Sequence, residues 1–180
     1  MNVVWAREEG TTPGGEEPID WLLYTNHPVE DLDDARLVIR SYSYRWRVED
    51  CHRAWKRGRC NVEATKLRSY AAVKRWAIIL IVVAARIERL KHLSRTTPNA
   101  PASIELSEFE IRALIALKYE DKPFDGPLTI GRAVTILAEF GGWANKYSGK
   151  PPGAVVLGRG LEYVEPAARL LERQARARAR

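Results

Sequence analysis

Tyr42, Arg45, Glu49 and Lys56 follow one another at spacings of three, four and seven. On a helix turning about 100° per residue, those offsets fall within an arc of roughly 60°, spread over about 21 Å of axis. Such a stripe sets a phenol, a guanidinium and an ammonium around one carboxylate. The cations can grip phosphate oxygens, and the carboxylate can hold a divalent cation between them. The competing reading is a solvated helix surface in which Arg45 and Glu49 form an ordinary i,i+4 pair. The neighbourhood weighs against it. Between Tyr42 and Trp55, two Tyr and two Trp interleave with Arg45, Arg47, His52 and Arg53, a mixture suited to stacking on bases and touching phosphates. Nucleic acid is the partner this chemistry points to.

The Y-x2-R-x3-E-x6-K pattern does not stand alone. Trp21-Leu22-Leu23-Tyr24-Thr25-Asn26 lies upstream, and Arg45-Trp46-Arg47-Val48-Glu49 and Ala54-Trp55-Lys56 fill in the motif. Together they resemble the signature helix of cut-and-paste DDE transposases of the transposon Tn-five (insertion-sequence four) family. The resemblance implies metal-dependent phosphoryl transfer on DNA, with Mg2+ as the cofactor of the intact enzyme. It makes Glu49 the third metal-binding, catalytic carboxylate and Tyr42, Arg45 and Lys56 contacts to phosphates near the transposon end. Trp21 matches a tryptophan that stacks on a flipped base; a strand residue in the core is the equal alternative for it. Trp46 and Trp55 flank the stripe and are expected in the core.

The same resemblance expects two aspartates on strands upstream of this chain. Asp20 falls outside the family's aspartate positions, and Asp31, Asp33 and Asp34 sit where a helix start explains negative charge. Glu49 alone binds magnesium weakly, because hard cations prefer several oxygens. The chain is therefore expected to bind transposon ends and not to cleave them unaided.

Composition sets the outer bounds. The 180 residues suffice for one domain with a real core, or one plus a small appendage. Lys and Arg outnumber Asp and Glu by 29 to 23, for a net charge of +6, which suits a polyanionic partner. Two cysteines, Cys51 and Cys60, with no signal peptide, point to a reducing cytoplasm and not to a disulfide framework. His52 beside Cys51, and His27 and His92 elsewhere, lack zinc-ligand spacing. The longest apolar run, residues 76–85, is too short to span a bilayer and reads as buried helix.

The fold class expected is mostly α. A short N-terminal β-ribbon, the end of an RNase H-like catalytic domain, precedes a long helix and a small C-terminal helical dimerisation domain. Residues 1–6 and 19–25 read as strands around a Gly/Pro/Glu loop with a turn at Pro13-Gly14-Gly15. A helical pattern begins near Val29, with Asp31 and Asp33 at its start, and Gly58 is a stop. Residues 63–94 read as one long helix with Leu67, Tyr70, Ala71, Lys74, Ile78, Ile81, Val82, Ala85 and Leu90 on its main face. Its centre is apolar all round, which predicts burial on several sides.

Residues 96–104, with Pro98 and Pro101, form a linker between a catalytic part (1–95) and a dimerisation part (105–180). Helices are expected at 107–119, with Ser107 and Glu110 as a capping box, at 129–146 and at 160–175. Gly141-Gly142-Trp143 and Gly149-Lys150-Pro151-Pro152-Gly153 resemble, more loosely, the family's dimerisation domain. Leu161, Val164, Ala168 and Leu171 make an apolar stripe. Pattern alone favours packing within the chain; the resemblance favours a homodimer contact. The tail at 173–180 alternates Arg with Ala and reads as a solvated end.

The leading expectation is thus a C-terminal piece of a transposase that binds transposon-end DNA, with a homodimer or a heterodimer with full-length transposase as protein partner. A second reading is an interaction protein that inhibits intact enzyme in trans. A third, a stand-alone helical binding protein, requires the motif to be coincidental.

Overall fold

In the computed structural model, residues 1–12, 14, 16–120, 124–144 and 150–179 are described. Pro13 and Gly15 of the expected turn, the last two residues of the helix expected at 129–146, Gly149 and Arg180 lie outside them. The chain divides into two compact units, Met1–Glu49 and Asp50–Arg180.

The first unit opens on a two-stranded antiparallel ribbon of β1 (Asn2–Arg7) and β2 (Asp20–Thr25). Its register pairs Val4 with Leu23 and Trp5 with Leu22. A lone ribbon is marginal in water, and helix α1 (Leu32–Ser43) packs against both strands. Side chains alternate across the strands, so Val4 and Leu23 are buried while Val3, Trp5, Leu22 and Tyr24 on the opposite face are exposed. Asp31 starts α1 by accepting hydrogen bonds from the N–H groups of Asp33 and Asp34, both at 2.9 Å, which satisfies donors that no helix turn can.

The expected single signature helix is instead two. α1 ends at Ser43, Tyr44 makes a tight turn, and α2 runs Arg45–Lys56. Ser43 Oγ donates to the Arg40 carbonyl at 2.7 Å, a local bond that competes with helix continuation in this Ser-Tyr-Ser-Tyr stretch. The division between the units falls within α2. Gly58 stops α2, at φ +64°, a left-handed value that glycine adopts without Cβ strain.

In the second unit, helix α3 (Tyr70–Thr96) begins later than expected. A 3-10 turn at Val62–Ala64 precedes it, and Thr65 Oγ1 accepts from the Leu67 N–H at 3.3 Å, a side-chain turn that keeps the backbone out of the helix. Ser69 then caps α3 by accepting from the Ala72 N–H at 3.2 Å. The buried face of α3 is Leu80, Ala84, Ile87 and Leu90, whereas Ile78, Ile79 and Val82 are exposed. The expected burial on several sides is thus corrected: a segment apolar all round carries no periodic signal to fix which face turns inward.

Beyond α3 come α4 (Glu108–Tyr119), α5 (Ile130–Phe140) and α6 (Ala154–Arg178). The Ser107–Glu110 capping box opens α4 as expected. Residues 96–104 are built into this unit. The Pro98 and Ala100 carbonyls accept from the N–H groups of Gly131 and Ile130 at 2.9 and 2.7 Å, satisfying the first orphan donors of α5. One core holds Ile87 and Leu90 of α3 together with Leu114, Leu137, Leu157 and Val164, so the segment expected to separate two parts instead lies within a continuous core.

α6 starts six residues before the expected position, despite Gly158 and Gly160. A Cβ on Gly160 would collide with the Leu137 carbonyl on α5, so this glycine is what lets two helix backbones touch. Leu161, Val164 and Ala168 are buried in this same core, and Leu171 packs against it. The stripe expected to meet a partner helix is therefore satisfied inside the chain, through contacts of α6 with α4 and α5.

Two ion-pair groups tie the second unit. Arg86 of α3 reaches Glu110 of α4 at 2.8 Å, and Arg59 pairs with Glu165 of α6. Burial pushes the Glu110 carboxyl up, but the hydrogen bonds from Arg86 and Ser107 outweigh it and hold the group below the usual carboxylate range. Glu165 behaves likewise through Arg59 and Arg169.

Candidate nucleic-acid interface

The first unit brings four sequence-predicted residues into one connected cluster. Trp21, on the α1 side of β2, and Tyr42, in the last turn of α1, meet edge to face with ring centroids 5.0 Å apart. The geometry puts the positive edge of one ring against the negative face of the other. The Arg45 guanidinium, at the start of α2, lies 5.5 Å from the Tyr42 ring centre and 4.3 Å from that of Trp46, within reach of cation–π attraction. Arg45 also forms an ion pair with Glu49, one turn on. Stacking surface, phenol, guanidinium and carboxylate thus follow one another without a gap.

Half of each charged side chain's surface stays open here: Arg45 is 44% and Glu49 41% exposed. A pair this exposed adds at most about 1 kcal/mol to stability, so its groups can exchange partners at little cost. Trp21 and Tyr42 are half-buried. Both readings of Trp21 therefore meet in one position, a ring that packs on α1 and keeps part of its surface accessible.

Trp46 is not in the core. It is 54% exposed and carries Arg45 over its face, because the turn at Tyr44 resets the helix phase just before it. Arg47 stacks in the same way on Tyr44, 4.8 Å from the ring centre. Sequence reading grouped these cations and aromatics but did not pair them. The signal available was their adjacency, since a guanidinium folds back readily onto a neighbouring ring.

In the second unit, Trp55 is half-buried and its Nε1 donates to the Ala77 carbonyl at 3.1 Å. It packs on a small cluster of Ala54, Cys60, Val62, Leu80 and Ala84. Lys56 pairs with Glu63 at 2.9 Å and is exposed. Asp50 is engaged by Lys91 at 3.0 Å.

Residues 15–85 match the family model of the transposase DDE domain. The matched segment is less than half of the chain and contains Trp21, Tyr42, Arg45, Glu49 and Lys56. It supports a DDE transposase. Such domains use divalent metal. Glu49 offers one carboxylate, already paired with Arg45, and among the described residues no three Asp, Glu, His or Cys side chains cluster as a cation requires. The described residues do not fit a metal pair. Among the described residues no helix is long and apolar enough to cross a membrane.

Proposed function

We propose that this chain is the C-terminal part of a cut-and-paste transposase of the Tn-five (insertion-sequence four) type, and that it binds transposon-end DNA in the cytoplasm during transposition. One observation carries the reading: the unbroken contact chain Trp21–Tyr42–Arg45–Glu49 inside the segment that matches the transposase DDE domain. A half-exposed indole offers a face to an unstacked base, and an exposed guanidinium offers a fork of donors to a phosphate.

In this reading Arg45 changes partner on binding. Free, it neutralises Glu49; bound, it turns to a phosphate and leaves Glu49 as the carboxylate that a complete acidic set would use. Tyr42 anchors the Trp21 ring and presents its hydroxyl to the backbone. Lys56 is the further phosphate contact that the resemblance assigns. The ribbon and first helices are, on this view, the end of an RNase H-like catalytic domain. The contribution of this chain in this reading is grip on DNA, since among the described residues no carboxylates cluster with Glu49 as a metal pair requires.

The test is fluorescence anisotropy with a labelled duplex bearing two unpaired terminal bases, against the same duplex with a flush end. The proposal expects tighter binding to the frayed end, and expects Trp21→Ala to remove roughly tenfold of that preference, in line with one base-stacking contact. Equal affinity for both ends in the unmodified chain would count against it.

A further inference from the structure

Within the second unit, the face of α2 turned toward α3 is fixed by three groups. Asp50 reaches Lys91 at 3.0 Å, Ala54 is buried, and the Trp55 Nε1 donates to the Ala77 carbonyl at 3.1 Å. Residues 50, 51, 54 and 55 share one side of a helix, so Cys51 lies between the Lys91 and Ala77 contacts. The chain reverses at Gly58, with φ +64°, and brings Cys60 back to the same stretch of α3. There its Sγ donates to the Leu80 carbonyl at 3.4 Å. One small cluster results. Cys60 is buried in it with Ala54, Val62, Leu80 and Ala84, and Cys51 packs against it half-buried. Leu80 and Ala84 are one helical turn apart, about 6 Å along the axis, which sets the scale of the space that holds both thiols. Burial raises the pKa of the Cys60 thiol, Arg59 opposes the rise, and Cys51 adds to it, as a neighbouring sulfur does.

We infer that Cys51 and Cys60 join in a reversible disulfide when the protein meets hydrogen peroxide, and that the bond staples the last turn of α2 to the chain beyond Gly58. The Cys51 thiol, the more accessible of the two, gives an electron pair to one peroxide oxygen. The O–O bond breaks, leaving a sulfenic acid and one water. The Cys60 sulfur then attacks the Cys51 sulfur. An S–S bond forms as the S–O bond breaks, and the hydroxyl leaves with the Cys60 proton as a second water. Two thiols thus lose two electrons, which reduce one peroxide to two waters. A dithiol reductant restores both thiols by exchange. The loop closed in this way, residues 51–60, carries Trp55 and Lys56, and it spans a helix end, the part of a helix that frays first. On the DNA-binding reading the staple therefore acts on the Lys56 phosphate contact, but neither the inference nor its test needs DNA.

The test treats the full, reduced chain with hydrogen peroxide under native conditions and follows it by non-reducing mass spectrometry. The chain should lose the mass of two hydrogen atoms and yield one cross-linked peptide pair containing Cys51 and Cys60, and dithiothreitol should reverse both changes. Amide exchange at residues 53–57 should slow by about tenfold on oxidation and recover on reduction. Cys51→Ser changes little volume at a half-buried position and should abolish the cross-link and the slowing together. Cys60→Ala empties part of the cluster, so it is read chemically: its Cys51 should stop at the sulfenic acid, which dimedone traps. Three results overturn the inference: over-oxidation of Cys51 while Cys60 stays a free thiol, disulfides formed only between chains, or exchange at residues 53–57 indifferent to oxidation. Each of them leaves the DNA-binding proposal standing.

Discussion

Trp21 and Tyr42 meet with their ring planes 72° apart, a contact that joins the ribbon to α1 and puts two aromatic side chains of the proposed stacking site on different elements. An edge-to-face pair contributes about 0.5–1.5 kcal/mol beyond the area it buries. Tyr42→Ala should therefore loosen the first unit and blunt frayed-end binding, whereas Tyr42→Phe should keep the ring contact and lose only the hydroxyl. Thermal melts followed by near-ultraviolet dichroism, run beside the anisotropy titration, separate the two effects.

The Arg45–Glu49 pair makes a prediction of opposite sign for its two members. Glu49→Gln frees the guanidinium, so DNA affinity should rise by roughly threefold or more, with stability changed by less than about 1 kcal/mol because the pair is exposed. A carboxylate that served mainly to hold the fold would give the reverse, a loss of stability and no gain in binding.

Acid should loosen the second unit. Glu110 and Glu165 have folded-state pKa values below their ordinary value of 4.5. Groups depressed in this way contribute stability that is present above pH 4.5 and is lost as pH falls through their folded values. Melting temperature should thus hold steady from pH 7 to about pH 5 and drop below it. Glu110→Gln should lower the melting temperature at pH 7 and flatten that drop. An unchanged acid slope in the variant would remove Glu110 as its source.

Gly160→Ala places a methyl on the Leu137 carbonyl. Backbone against backbone cannot give way as a flexible side chain does, so α5 and α6 must separate at a cost of about 1–3 kcal/mol or more. Gly153→Ala, where nothing lies within 4 Å of the added carbon, should be near neutral. Urea midpoints for the two variants measure the contrast.

Much of this architecture is legible in the sequence where a local rule acts. Asp31, Ser107 and Gly58 each satisfy or end a helix by chemistry confined to a few residues, and both strands are short apolar runs on either side of a Gly/Pro loop. Legibility fails where a distant group decides. The start of α6 at Ala154 and the close approach of Gly158 to Arg59 and of Gly160 to Leu137 are set by residues far away in sequence. The stripe Leu161–Val164–Ala168 reads as an inner face by pattern and as a partner face by resemblance, and the contacts of α6 with α4 and α5 cover it within the chain. At the site, Tyr42, Arg45 and Glu49 lie in sequential contact although on two helices and not one, and the turn at Tyr44 exposes Trp46, because a one-residue interruption changes the phase of everything after it.

The most direct measurement is the salt dependence of DNA affinity for the unmodified chain and for Arg45→Ala. If the guanidinium grips a phosphate, the variant should bind more weakly at low salt, and the slope of log affinity against log salt should fall by about 0.9, the value of one released counterion. Identical slopes and affinities would contradict a phosphate contact at Arg45, and with it the claim that this cluster meets DNA.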